Sequence, residues 1–251
     1  MRLLLTRALN KCASLKAGLE EAGFEVALFP LIEILPPKDG GAQLKKAAQN
    51  ILQYHWLVLT SANAVSALAN QLTVLPKNLR VVVVGPKTAT PAQELGWKVL
   101  QPASRHSVTN GGAAGIVSFF QKKNMAGQKV LYPRSSIGRE ELAVALKKMG
   151  AAVDVVEAYQ TKALKTDGKK LKALLKKGVD AVLFFSPSAV AAFKNLCEEN
   201  GIDTKKLSSV PFGKTTAAAL RNANLRVAFI PRQSEEKILV KELKEFFAIP
   251  E

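Results

Sequence analysis

Six short polar turns, each following a strand-like run, hold most of the side chains able to grip an anion. They are "TRALN" at 6–10, "TSANA" at 60–64, "GPKTA" at 85–89, "PRSSIG" at 133–138, "SPSA" at 186–189 and "GKTTA" at 213–217. Each is expected to open a helix. Unpaired backbone N–H groups, Ser and Thr hydroxyls and the positive end of a helix dipole would then converge where a carboxylate or phosphate could sit. Open parallel sheets bind ligands at the carboxyl ends of their strands, which is where these turns fall. A single such turn is explained by a helix capping itself; six of them predict a cleft for an anion. Arg7 and Arg134 each come just after a strand-like run, and either pair with ligand carboxylates or close their own turns.

Other chemistries lack their residues. There is no G-x-G-x-x-G and no G-x-x-x-x-G-K-[ST], and "TNGGAAG" at 109–115 reads as a helix start with Asn110 near the cap. His55 and His106 are too few and too isolated for a metal site, and no G-x-S-x-G elbow supports a serine hydrolase. Cys12 and Cys197 form neither a metal spacing nor a disulfide framework, in keeping with a reducing compartment.

The elements that must position these turns alternate between strand and helix. Strand-like runs are "RLLLT", "EVALFPLIEI", "WLVLTS", "RVVVVG", "KVLQP", "KVLYP", "AVDVVEAY", "AVLFFS", "SSVPFG" and "RVAFIP". Segments of helical spacing separate them, for example Leu142, Ala145, Leu146 and Met149 before Gly150, so parallel sheets in an α/β fold are expected. The second half echoes the first. Arg7 and Arg134 are 127 positions apart, Gly23 and Gly150 also 127, Ser61 and Ser186 125, and Gly85 and Gly213 128. Matches at nearly one offset imply an internal duplication and two similar domains.

A short β-α-β piece and a longer β-α-β-α-β-α piece therefore each occur twice, in alternation. Breaks at Pro36–Pro37 ("ILPPKDGG") and in "TKALKTDGKK" favour a discontinuous pairing. Residues 1–36 with 162–251 form one domain and 37–161 the other, with connectors near 35–38 and 159–165. Tyr159 ends "VDVVEAY" at this hinge, and its matched position is Ile32. A hydroxyl present in one copy alone points to a specific use; an amphipathic hinge aromatic would look the same.

Composition sets the outer bounds. The 251 residues are 48% hydrophobic but 6% aromatic, and no apolar run is long enough to span a membrane. The first residues lack a cleavable leader pattern, so a cytoplasmic protein is expected. A net charge of +16 attracts polyanions, yet it is spread over helix-like runs such as "GKKLKALLKKG" that also read as solvated faces. With no zinc spacing, no aromatic-rich RNA motif and no basic recognition helix, nucleic acid is not expected as a partner.

In this order, "LLTR", "GFEVALFPLIEI", "LTSANAV", "VVGPKTA", "LYPRSS…LKKMGAAVDVVEAYQT", "LFFSPSAV", "FGKTTAAAL" and "EEKILVKELKEFF" resemble the uroporphyrinogen-III synthase family over almost the whole chain. The resemblance implies two flavodoxin-like α/β domains joined by a two-stranded connector, and a monomer that uses no cofactor and no metal. It implies hydroxymethylbilane as substrate, closed to uroporphyrinogen III with inversion of ring D, and transient contact with the upstream bilane-producing enzyme.

Tyr159 matches the family tyrosine, and its hydroxyl is expected to help the leaving hydroxyl depart. Thr88 and Thr216 match the paired threonines, and Ser61, Ser186 and Ser188 the turns that line the cleft. Arg7, Asn63, Arg134, Ser135 and Lys214 complete the expected substrate-binding set. Phe212 and Lys214 stand where relatives commonly carry a small aliphatic residue and proline. A non-catalytic two-domain anion-binding or sensor protein is the alternative that would use the same cleft.

Overall fold

The computed structural model describes residues 1–102, 113–138 and 140–248. The expectations for Asn110 and His106 lie outside the described residues. The chain starts with β1 (Arg2–Leu5), α1 (Ala13–Glu21), β2 (Glu25–Leu28) and β3 (Ile32–Leu35). There follow α2 (Ala42–Gln49), β4 (Trp56–Leu59), α3 (Ala62–Ala69), β5 (Arg80–Val83), α4 (Pro86–Glu94) and β6 (Val99–Leu100). Next come α5 (Ala113–Phe120), β7 (Lys129–Ser135), α6 (Glu141–Lys148) and the long β8 (Ala152–Ala163). The last stretch holds α7 (Gly168–Lys176), β9 (Ala181–Phe184), α8 (Pro187–Glu199), β10 (Ser209–Pro211), α9 (Lys214–Asn222) and α10 (Glu236–Phe247). Contacts divide the chain into two compact units, Met1–Ile34 with Lys162–Glu251, and Leu35–Thr161, so the crossings fall inside β3 and β8.

The first unit holds a four-stranded sheet in the order β10-β9-β1-β2, parallel throughout. Apart from Arg2 at the start of β1, its inner strands are apolar throughout because both faces are covered: Leu3, Leu4 and Leu5 are all 0% exposed. Leu4, Val182 and Phe184 meet α8 residues on one face, while Leu3, Leu5 and Leu183 meet Leu15 of α1 and Leu239 of α10 on the other.

The second unit repeats the scheme around the order β3-β8-β7-β4-β5-β6, with parallel pairing from β8 through β6. Leu57 and Leu59 join α2, α3 and α4 on one face, and Trp56 and Val58 join α5 and α6 on the other. The protein is thus an α/β fold with two parallel-rich sheets.

The sheet orders show which repeated pieces lie together. In the first unit the short piece (β1, β2) sits beside β9 and β10; in the second the short piece (β7, β8) sits beside β4, β5 and β6. Both sheets therefore change direction of winding at one junction, β1 with β9 and β7 with β4, and such switch points are where open α/β sheets take ligands. Backbone conformation repeats with the topology: φ is +88° at Gly23 and +89° at Gly150, and Ser61 and Ser186 share φ of −155°.

Three expectations are corrected. "EVALFPLIEI" is two strands, β2 and β3, because Pro30 between them lacks an N–H for the ladder. "RVAFIP" makes only an isolated bridge between Val227 and Ser209, since the three-residue β10 offers little ladder to extend. Of the six polar turns, two do not open an α-helix directly. After Arg7 a 3-10 turn at Leu9–Lys11 precedes α1, and α6 begins only at Glu141, because the chain after Arg134 first folds around that side chain through Gly138 O and Glu140.

Gly150 combines a left-handed φ with a close approach: a Cβ there would lie 3.2 Å from Ala126 Cα. Gly96, at φ +77°, has open space instead. Gly150→Ala is expected to cost roughly 1–3 kcal/mol, and Gly96→Ala about 1 kcal/mol from the backbone alone. Urea unfolding of the two variants side by side checks the difference.

Candidate functional site

The second unit assembles a hydroxyl cluster at the carboxyl end of its sheet. Ser61 follows β4 and is the N-cap of α3, its Oγ accepting from Ala64 N at 3.2 Å. The same Oγ accepts from the Tyr159 hydroxyl at 2.9 Å. One small side chain thus closes a helix start and receives the phenol, and capping alone is worth about 0.5–2 kcal/mol.

Tyr159 reaches Ser61 because β8 breaks its own alternation. Val153 and Val155 face the core cluster that contains Phe120, whereas Val156 and Ala158 face the one that contains α3. Strict period-two order would send Tyr159 to the first, yet it packs against the second. The pairing of β7 with β8 shifts between Arg134 and Ser135, so that Ser135 lies opposite Tyr159 and one residue of β8 is extra. Such a bulge re-aims the side chains beyond it. Ser136 N then donates to Tyr159 O at 3.1 Å and fixes the new course. Within the same unit, Glu157 accepts from Lys38 N at 2.8 Å and the Gln160 amide donates to Pro36 O at 2.8 Å, holding β8 on its other side.

Burial pushes the Tyr159 phenol above its ordinary value, and its hydrogen bonds with Ser61 and Asn63 lower it in part. Nearby Tyr132 adds to the upward push. The group is therefore a neutral donor at physiological pH. Asn63, in the first turn of α3, is half-buried beside it.

The matched place in the first unit is built differently. Ser186 is the N-cap of α8 and accepts from Ala189 N at 3.2 Å, but its hydroxyl partner is Ser188 at 2.9 Å. No tyrosine stands there: Ile32, the matched position, is 8% exposed in the core with Leu31 and Leu171.

The remaining expected residues separate by exposure and partner. Arg7 pairs with Glu236 of α10 at 2.5 Å and lies over the Phe185 ring at 5.1 Å, so its guanidinium is tied to α10 and to the chain after β9 rather than to its own turn. Arg134 donates to Gly138 O and meets Glu140 at 3.3 Å, while its buried Nε has no hydrogen-bond partner. Ser135 accepts from Ile137 N at 3.4 Å. Thr88 and Thr216 are 2% and 5% exposed in the first turns of α4 and α9, so they shape those helix starts more than they present open hydroxyls. Lys214, the first residue of α9 after the extended Gly213, is exposed.

Two further hydroxyls belong to the cluster. Tyr132, 4% exposed on β7, has its hydroxyl 3.5 Å from Thr60 Oγ1 just after β4. Its matched position in the duplication is Leu5, so the asymmetry that singles out Tyr159 also marks Tyr132. Among the described residues no group of three or more His, Cys, Asp or Glu is placed to hold a metal ion, and no helix is long and apolar enough to cross a membrane.

With this geometry in place, known proteins bear comparison. The family model described as uroporphyrinogen-III synthase HemD matches residues 13–241. A uroporphyrinogen-III synthase of Synechococcus elongatus is 32% identical over 209 residues, 80% of this chain and 76% of that one. One of Chlorobaculum parvum is 25% identical over 256 residues, 97% of this chain and 98% of that one. The crystal structure of a mutant uroporphyrinogen III synthase from the extremely thermophilic bacterium Thermus thermophilus superposes with a TM-score of 0.69 at 17% identity, covering 100% of both chains. That likeness gives the α/β fold.

The raised phenol has a stability consequence. Below the unfolded value of about 10 both states hold the proton and the contribution is complete; as pH rises past it, the unfolded chain ionises first and the contribution is lost. The stability difference between the protein and its Tyr159→Phe variant is expected to be constant to about pH 9 and to shrink by about pH 11. Urea unfolding across that range measures it.

Proposed function

The chain belongs to the uroporphyrinogen-III synthase family, hydro-lyases of tetrapyrrole biosynthesis, and from that we propose that it closes hydroxymethylbilane to uroporphyrinogen III, inverting ring D and releasing water. The observation that carries this reading is the Tyr159–Ser61 hydrogen bond at the β4 and β7 switch point. A protonated phenol stands where a family tyrosine is expected, held by a residue that also starts a helix.

In the proposed sequence the ring-A hydroxymethyl group accepts hydrogen-bonding or a proton from Tyr159 as its C–O bond breaks, leaving an azafulvene and water. Ring D attacks that carbon through its substituted position to give a spiro-pyrrolenine. The spiro centre fragments and recloses with ring D reversed, and a ring proton is lost. Unassisted closure gives the uninverted isomer, so the main work of the protein is to hold ring D for the inverting attack. The chemistry requires no cofactor.

Acetate and propionate groups on every ring need receptors, and each unit supplies its own. In the second unit these are the starts of α3 and α4 with Asn63, Arg134 and Ser135. In the first they are the starts of α8 and α9 with Ser186, Ser188 and Lys214. Backbone N–H groups and helix dipoles carry much of this binding, under a field from a net charge of +16. Thr88 and Thr216 position those turns, and Arg7 stabilises the first unit. The same reading has the protein working as a cytoplasmic monomer that takes its unstable substrate in passing contact with the enzyme that makes it.

The test supplies hydroxymethylbilane enzymatically, oxidises the products and separates the type I and type III uroporphyrins. Addition of the protein is expected to turn the product from type I to type III; persistent type I from folded protein leaves an anion-binding module as the better account. Tyr159→Phe retains the ring but not the donor, and is expected to lower kcat about 10²-fold with little change in KM. Near-normal turnover assigns Tyr159 to packing.

A further inference from the structure

At the opposite end of the second unit's sheet, before β5 and β6 begin, lies a pocket of about 650 Å³. Its floor and walls are Leu72, Leu75, Leu79, Leu95 and the Trp97 ring, and Leu72, Leu75 and Trp97 pack from behind against the core cluster of α3 and α4. Val74 and Leu95, 75% and 50% exposed, leave its mouth apolar. Lys77 and Lys98 line it, and no Asp or Glu among the described residues does. Neither lysine forms a salt bridge among the described residues.

A concave apolar chamber of this size, holding an indole and two cations of one sign, has the makings of a small-molecule site. A neutral hydrocarbon would not use the lysines, and a hydrophilic anion would not use the leucines. We infer that this pocket binds a small amphipathic carboxylate, with its apolar body against Trp97 and the leucines and its carboxylate between Lys77 and Lys98.

The position gives such a ligand a hold on the rest of the unit. α3 carries Ser61 at its start and Ala69, a pocket residue, at its end; α4 carries Thr88 in its first turn and leads into Leu95. An eight-residue helix is about 12 Å long, so the pocket and the hydroxyl cluster lie at the two ends of one rigid element.

The probe is 2-naphthoate, titrated into the full chain labelled with nitrogen-15 and followed by heteronuclear NMR. The protein has two tryptophans, and buried Trp56, on the other face of the same sheet, is an internal reference. The Trp97 indole signal, assigned from its loss in Trp97→Phe, is expected to move saturably with a Kd on the order of 1 mM or tighter, while that of Trp56 stays in place. The double variant Lys77→Glu/Lys98→Glu, checked for folding by circular dichroism, is expected to bind about tenfold more weakly or worse. The neutral 2-naphthalenemethanol is expected to bind more weakly than the acid. Three results overturn the assignment: no saturable shift of Trp97, equal binding of the neutral alcohol, or shifts that follow lysines across the whole surface.

Discussion

One extra residue in β8 determines where the phenol of Tyr159 points. Without the bulge opposite Arg134 and Ser135, the period of the strand would turn Tyr159 toward the Phe120 cluster, away from α3. With it, the ring packs beside Ala158 and the hydroxyl meets Ser61. The bulge therefore links three things that are separate in sequence: the end of β7, the end of β8 and the start of α3. Burial then supplies the chemistry, because a desolvated phenol with two hydrogen-bonding neighbours stays protonated and aimed.

The duplication explains both the stage and the asymmetry on it. The two sheets wind in the same way about their switch points, and Ser61 and Ser186 cap equivalent helices with equivalent backbone angles. On that shared scaffold the second unit places Tyr159 and Tyr132, where the first has Ile32 and Leu5. All three tyrosines of the chain fall between residues 54 and 159, within the second unit. The first unit keeps a hydroxyl pair, Ser186 with Ser188, suited to holding an anion and lacking a proton donor as rigid as a phenol.

The scaffold was legible in the sequence because its signals are local and repeated. Buried parallel strands read as unbroken apolar runs, caps read as Ser or Gly before a helix, and one offset joined the halves. Tyr159 stood out because it breaks the repeat, a break that a hinge aromatic would also make, and only the family resemblance gave it a role. What stayed hidden depends on pairing across the sheet. The bulge that aims Tyr159 has no glycine or other marker in "VVEAYQT". Tyr132 sat unremarked in the strand-like run "KVLYP". The fate of Arg7 was fixed by Glu236, 229 positions away, and the strand expected in "RVAFIP" failed because its neighbour β10 is short. The burial of Thr88 and Thr216 likewise follows from packing that no turn motif encodes.

The central claim is that Tyr159 and Ser61 act as one unit in turnover. A double-mutant cycle tests it most directly: kcat for type III product in the parent, Tyr159→Phe, Ser61→Ala and the double variant, with folding checked in each. The account predicts strong non-additivity, with the double variant little worse than Tyr159→Phe and a coupling of about 1 kcal/mol or more. Losses that simply multiply would contradict it, leaving the hydrogen bond as a feature of packing and the two residues with independent roles.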